Sequence, residues 1–193
     1  MQRVAVFCGS NVGRSSAFLE QAQQLGTILA RRGLGLVYGG GHVGLMGAVA
    51  DAVLAEGGEV VGVITEHLVG AEIAHGGLTS LEVVATMHER KARMAELAAG
   101  FIALPGGFGT LDETLELLTW NQLGLIAKPV VLLDIDGFFG PLFDFFDRAV
   151  VDRFMHQAHR RLAQRAETVE DAVGMAVGAV PGSPPKWIDR DVR

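Results

Sequence analysis

A chain of 193 residues, 49% hydrophobic and 20% charged, has the length and composition of one globular domain and not those of a disordered chain. Its 16 basic and 22 acidic residues give a formal net charge of −6 with no long basic run, which argues against duplex nucleic acid or an anionic membrane as main partner. Cys8 is the one cysteine, so an internal disulfide and a Cys-rich zinc site are excluded, and no apolar stretch approaches the ~20 residues of a membrane helix.

In chain order, residues 4–8 form an apolar run closed by Gly9-Ser10-Asn11, the pattern of a buried strand and a turn. This run is too short for a signal peptide, and the expectation is a soluble cytoplasmic protein. Phe18, Ala22, Leu25 and Leu29 recur at helical steps, and Gly33 ends that helix. Residues 34–38 predict a second strand running into Gly39-Gly40-Gly41, followed by a helix over about 43–55 and a third strand over 60–64. Residues 65–80 show no period and read as loop. A short strand over 81–85 precedes a helix over about 87–99. The strand at 101–104 ends in Pro105-Gly106-Gly107 and leads into a helix reaching about Leu123. Residues 130–133 are the last clear strand. The aromatic-rich stretch 138–154 reads as helical with Gly140-Pro141 at its start, Thr168 as the N-cap of a final helix to about Val177, and 181–193 as an irregular tail.

Strands alternating with helices of this length predict βαβ units, and strands apolar throughout predict a parallel sheet covered on both faces. In such a sheet ligands bind beyond the carboxyl ends of the strands. Three of the chain's glycine clusters fall there, at 9–13, 39–44 and 106–109. The last two lead directly into helices, whose first N–H groups and positive dipole end suit an anion such as phosphate.

Gly39-Gly40-Gly41-His42-Val43-Gly44 formally matches a dinucleotide fingerprint. It follows the second strand and not the first, which favours a tight turn with some ligand contact, Gly44 and Gly47 permitting close packing. Pro105-Gly106-Gly107-Phe108-Gly109-Thr110-Leu111-Asp112-Glu113 reads as a phosphate cradle. Thr110 and Glu113 also have capping-box spacing, which leaves a purely structural alternative. In the helix over 87–99, Glu89 and Arg93 are spaced as an ion pair. Arg90 is flanked on its own face by Met87, Met94 and Leu97, so it must snorkel outward or find an anion, either a phosphate or Glu113.

The six histidines have no spacing that suggests a metal site near the glycine loops. The motifs of zinc proteases, α/β-hydrolases and P-loop ATPases are absent. Phe138, Phe139, Phe143, Phe145 and Phe146 read as core or as a surface between subunits.

Taken together, the segments Cys8-Gly9-Ser10, Gly39–Gly47, Met87-His88-Glu89-Arg90-Lys91, Pro105–Glu113 and Trp120–Gly124 with Lys128-Pro129 resemble the LONELY GUY family in order and spacing. These are the cytokinin riboside 5′-monophosphate phosphoribohydrolases, also labelled possible lysine decarboxylases. The resemblance implies an α/β, Rossmann-like doubly wound domain over residues 1–180, with no cofactor and no metal. It implies hydrolysis of the N-glycosidic bond of AMP or N6-prenylated AMP, a small-molecule substrate, in a homodimer. By the family motif Arg90 and Glu113 are the catalytic pair. Ser10, Gly41, Glu72, Lys91, Gly107, Phe108, Gly109, Thr110, Leu111, Asp112 and Thr119 join them as substrate contacts. The sequence departs from the family pattern at Thr65, at Phe108 in place of tyrosine, and at Ile126-Ala127.

The chemistry agrees with the residue types. Glycosidic cleavage passes through an oxocarbenium-like ribosyl cation, which a carboxylate stabilises while activating water. The expectation is that Glu113 does this, that Arg90 positions Glu113 and the phosphate, and that amides at Gly107, Gly109 and Thr110 hold the phosphate. Two rivals are a non-catalytic nucleotide or molybdenum-cofactor carrier, which needs no Arg90–Glu113 pair, and a small NAD-linked enzyme using the Gly39–Gly44 turn.

Overall fold

The apolar runs form the buried strands of a single seven-stranded sheet in the computed structural model, which describes residues 1–69 and 74–182. In chain order the elements are β1 (Arg3–Phe7), α1 (Ser16–Arg31), β2 (Gly35–Tyr38), α2 (Gly44–Ala55), β3 (Val60–Thr65), the short α3 (Glu66–Val69), β4 (Ser80–Val84), α4 (Met87–Leu97), β5 (Gly100–Ala103), α5 (Phe108–Gln122) and β6 (Val130–Leu133). A 3₁₀ turn (Ile135–Gly137), α6 (Gly140–Val151), the short α7 (Gln157–Arg160), β7 (Ala163–Ala166) and α8 (Val169–Ala176) complete it. Every strand pair is parallel, in the order β4-β3-β2-β1-β5-β6-β7. Val4 lies in register with Leu36 on one side and Gly100 on the other. The chain therefore winds outward from β1 in one direction and returns from β5 in the other. The loops after these two strands diverge at the topological switch point, where such sheets bind ligands.

Helices cover both faces. On one, Leu25 and Leu29 of α1, Val49 and Val53 of α2 and Val173 of α8 pack on Leu36, Tyr38, Ile102 and Leu104. On the other, Met94 of α4 and Leu117 of α5 meet Phe7, Val37 and Phe101, and Phe143 and Phe146 of α6 extend the layer over Leu132. Burying each such large apolar side chain contributes about 1.5–3 kcal/mol relative to leaving it exposed. This is the doubly wound, Rossmann-like architecture expected from the strand–helix alternation.

Several details depart from expectation. Residues 65–80 are not all loop: Thr65 completes β3, α3 follows, and Ser80 begins β4. The strand β7, Ala-Gln-Arg-Ala, escapes a reading based on apolar runs because it is an edge strand paired only with β6. The aromatic stretch enters its helix at Gly140-Pro141, as that pair requires, with Pro141 in the first turn where a missing N–H costs nothing. Thr168 caps α8 as expected, accepting from the Asp171 N–H at 3.1 Å. Thr110 caps nothing, because α5 begins at Phe108 with Gly107 as N-cap. The capping box belongs instead to Thr86 and Glu89 at the start of α4. Glu89 is thereby committed, and Arg93 pairs with Glu82 and Glu96, not with Glu89. The far end of α4 is held by Lys128, whose ammonium donates to the carbonyls of Ala95 and Ala98 at 2.6 and 2.7 Å. Among the described residues no helix is long and apolar enough to cross a membrane. Most of the expected C-terminal tail, from residue 183 on, lies outside the described residues.

Candidate active site

Backbone hydrogen bonds tie the glycine loops to one another at the carboxyl end of the sheet. The Gly9 N–H donates to Pro105 O at 3.0 Å and the Leu45 N–H to Gly9 O at 3.1 Å, so the loops after β1, β2 and β5 form one rim. They enclose a cavity of about 450 Å³, within the range of small-molecule sites. Its lining includes Cys8, Ser10 and Asn11 after β1, Gly106–Thr110 at the start of α5, Leu45 and Met46 of α2, and Arg90, Glu113, Phe18 and Phe138.

Arg90 and Glu113 meet there. The Arg90 Nη1 donates to Glu113 Oε1 at 3.1 Å, with the two side chains 7% and 12% exposed. A second bond, Arg90 Nε to Val63 O at 2.9 Å, fixes the guanidinium to the end of β3. Gly39 makes the space: a Cβ at that position would strike the Arg90 Nη2. An ion pair so enclosed is held together strongly, since removing one member strands the other charge away from water. Thr110 faces inward and is buried against Gly106, where a Cβ would strike the Thr110 hydroxyl. This inward placement, three residues into the helix, leaves Glu113 pointing to Arg90 and not to a cap.

The start of α5 completes the site. Gly107 has no side chain with which to cap it, and its first turn carries no acidic residue. The first N–H groups of a helix have no intrahelical acceptor, and its dipole end is positive. A Cβ added at Gly107 or Gly109 would meet nothing within 4 Å, so the backbone faces open space. Phe108 stands 94% exposed between them.

Of the residues singled out in the sequence, the cavity gathers Ser10, Arg90, Gly107, Phe108, Gly109, Thr110 and Glu113. It does not gather five others. Gly41 is buried in a bridge to Ala74, and Lys91 is ion-paired with Asp112 and Glu116 at 3.1 and 2.9 Å. Burial opposes the charge on Lys91, but hydrogen bonds to Glu116 and Asp112 hold its pKa above the usual lysine value. Asp112 is thus spent on Lys91, and Leu111 packs toward α6. Thr119 lines a smaller cavity elsewhere with Leu115, Phe146 and His159, its hydroxyl bonded to Leu115 O. Glu72 lies outside the described residues.

The sequence reading missed Cys8, Phe18 and Phe138 as cavity residues. Phe138, which reads in the sequence as core or as a surface between subunits, is 43% exposed at the rim of the cavity. The available signal was its position directly after the turn that follows β6. Burial, then the nearby Glu113 carboxylate, push the Cys8 thiol well above its ordinary pKa, so it remains protonated and non-nucleophilic at neutral pH.

His42, Asp51 and His75 form the one trio of metal-ligand type among the described residues. Both His75 nitrogens are already committed: Nδ1 accepts from the Gly77 N–H at 3.1 Å, which leaves the proton on Nε2 to be donated to Asp51 at 2.8 Å. A metal-bound imidazole carries its proton on the other nitrogen, so this trio reads as a hydrogen-bonded brace between α2 and the loop before β4.

Comparisons with known proteins bear on the family and the fold. A family model described as possible lysine decarboxylase matches residues 46–175. A probable cytokinin riboside 5′-monophosphate phosphoribohydrolase of Oryza sativa subsp. japonica is 47% identical over 169 residues, covering 88% of this chain and 76% of its own. A cytokinin riboside 5′-monophosphate phosphoribohydrolase of Arabidopsis thaliana is 47% identical over 172 residues, covering 89% and 79%. Among solved structures, the structural-genomics protein TM1055 superposes with a TM-score of 0.68 at 26% identity, over 90% of this chain and 97% of that one. The molybdenum cofactor carrier protein of Chlamydomonas reinhardtii gives 0.68 at 23% identity, over 90% and 94%, a likeness of fold alone.

Proposed function

The chain belongs to the LONELY GUY family of cytokinin riboside 5′-monophosphate phosphoribohydrolases, and on that premise we propose that Arg90 and Glu113 carry out N-glycosidic hydrolysis of an AMP-type nucleotide in the cavity. The enzyme is a nucleoside 5′-monophosphate phosphoribohydrolase that releases a free base and ribose 5-phosphate. The observation that carries this reading is the buried Arg90–Glu113 pair opening onto the uncapped start of α5.

The 5′-phosphate docks on the amides of Gly107, Gly109 and Thr110, where no Cβ of the two glycines intervenes and the helix dipole favours an anion. That fixes the anomeric carbon near Glu113. As the bond from C1′ to the base nitrogen breaks, its electron pair leaves with the base and positive charge grows on the ribosyl ring. The Glu113 carboxylate stabilises that charge and takes a proton from the water whose oxygen bonds to C1′. The proton passes on to the departing base, so AMP and water become adenine and ribose 5-phosphate. Arg90, clamped to Val63 O, holds Glu113 in place and oriented. A positioned acid–base group contributes about 10²–10⁴-fold. Glu113→Gln is expected to lower adenine release from AMP by that factor, measured by chromatography of the free base. Near-normal turnover in that protein overturns the assignment.

A carrier would bind AMP without releasing adenine, and the same assay separates the two. A pyridoxal-dependent decarboxylase needs a lysine free to form a Schiff base in the cavity. Of the described lysines, Lys91 is ion-paired and Lys128 is bonded to backbone carbonyls, and neither lines it. The enzyme works as a cytoplasmic homodimer on N6-prenylated or plain AMP. Leu125 after α5 and Phe145, Val151 and Phe154 in and after α6 are exposed apolar side chains that such a dimer has available to cover.

A further inference from the structure

The cavity is chemically lopsided. Arg90 reaches it over β3, on one side of the switch point, whereas Phe138 reaches it from the turn after β6, on the other. The phosphate site at the start of α5 lies between them in strand order. Phe18 of α1 backs Phe138 edge-to-face, with ring centroids 5.9 Å apart, and Phe139 also meets it edge-to-face, at 5.1 Å. Phe18 itself is seated against Gly13, where a Cβ would come within 2.6 Å of the ring.

The turn that presents Phe138 is constrained. Asp136 and Gly137 both have positive φ, at 52° and 72°. A left-handed non-glycine residue persists only where its surroundings hold it. Here Ser15, the N-cap of α1, donates its hydroxyl to Asp136 Oδ2 at 3.1 Å. The buried Asp134 carboxylate accepts from the Phe139 N–H at 2.6 Å and is ion-paired with Arg165. Two bonds thus bracket the Phe138 backbone, and its ring stays partly exposed at the cavity rim.

We propose that Phe138 is the specificity-determining residue of this site: its ring, backed by Phe18, receives the nucleotide base, and Ser15 and Asp136 act as positioning residues that aim it. This rests on the nucleotide reading above, since a base has the π-face such a wall suits, while the sugar phosphate occupies the Arg90 and α5 side. Stacking of a base on an aromatic side chain is typically large enough to change affinity about tenfold when the ring is removed.

The test compares AMP with ribose 5-phosphate, which lacks the base. Both are titrated calorimetrically into the Glu113→Gln protein, in which AMP survives, and into the same protein carrying Phe138→Ala, Phe138→Leu or Ser15→Ala. Phe138→Ala is expected to weaken AMP about tenfold while ribose 5-phosphate stays within twofold. Phe138→Leu, which keeps apolar bulk without the ring, should lie between, and Ser15→Ala should weaken AMP two- to threefold with the same selectivity. A parallel loss for both ligands means that the ring only shapes the loops, and an unchanged AMP affinity means that the base lies elsewhere; either overturns the proposal. Adenine release by the unmodified enzyme is read separately. Binding of AMP without cleavage sinks the hydrolase reading and leaves the aromatic wall standing, whereas a protein that binds neither ligand sinks both.

Discussion

Two glycine-rich loops leave the same end of the sheet on either side of β1, and they use glycine for opposite purposes. After β2, the Gly39–Gly44 loop is packed shut: a Cβ at Gly44 would collide with the backbone of Ser10, and one at Gly47 with the His42 carbonyl. After β5, Gly107 and Gly109 look into empty space. In the first loop glycine lets protein touch protein, and Gly44 also adopts a left-handed φ of 62°. In the second it leaves room for something that is not protein. The β2 loop formally matches a dinucleotide fingerprint but reads as a tight turn, the β5 loop reads as the phosphate cradle, and the open space at Gly107 and Gly109 against the packed Gly44 supports that order.

That contrast is open to direct attack. The largest effect should follow from Glu113→Gln, which costs about 10²–10⁴-fold in turnover and, by leaving the buried Arg90 charge beside a neutral amide, about 3 kcal/mol of stability. Next, Gly44→Ala combines a left-handed backbone with a backbone clash. It should lose about 3 kcal/mol or more of stability in urea denaturation, because neither Ser10 nor α2 has a way to yield. Gly109→Ala should do the reverse. Alanine suits a helix better, so stability should rise by about 0.5 kcal/mol while ribose 5-phosphate binds more weakly. If Gly109→Ala instead destabilises and Gly44→Ala does not, the two loops have been assigned the wrong way round.

The smallest effect concerns Cys8 beneath both loops. Its pKa is raised in the fold, while the unfolded chain ionises from about 9.0. The thiol's contribution to stability is therefore complete below pH 9 and is lost as the pH climbs beyond it. At pH 8 iodoacetamide should alkylate Cys8 far more slowly in the folded protein than in denaturant, as read by mass spectrometry.

Much of the architecture was legible because central parallel strands are buried on both faces. Val60–Thr65 and Val130–Leu133 are apolar throughout and announce themselves. The edges were not, because an edge strand such as Ala163–Ala166 can afford Gln164 and Arg165. Arg90 was legible for a related reason: a charge on the apolar stripe of a helix must have a partner, and two candidates were available. Thr110 misled, since a hydroxyl three residues before a glutamate has the spacing of a cap, and only the true start of α5 at Phe108 turns it inward. Phe138 was hidden because an aromatic cluster has a ready explanation as core. Its separation from Phe139, which is buried, depends on left-handed backbone at Asp136 and Gly137 that no side-chain pattern encodes.

Lys128 carries a last consequence. The helix that bears Arg90 has no basic residue in its own final turn, and the ammonium that neutralises its terminal carbonyls arrives from the lead-in to β6, beyond a further strand and helix. The same residue therefore anchors the guanidinium's helix and leads into the strand whose end aims the aromatic ring. The two flanks of the binding site share a single rivet, so damage at that remote position would be transmitted to both at once.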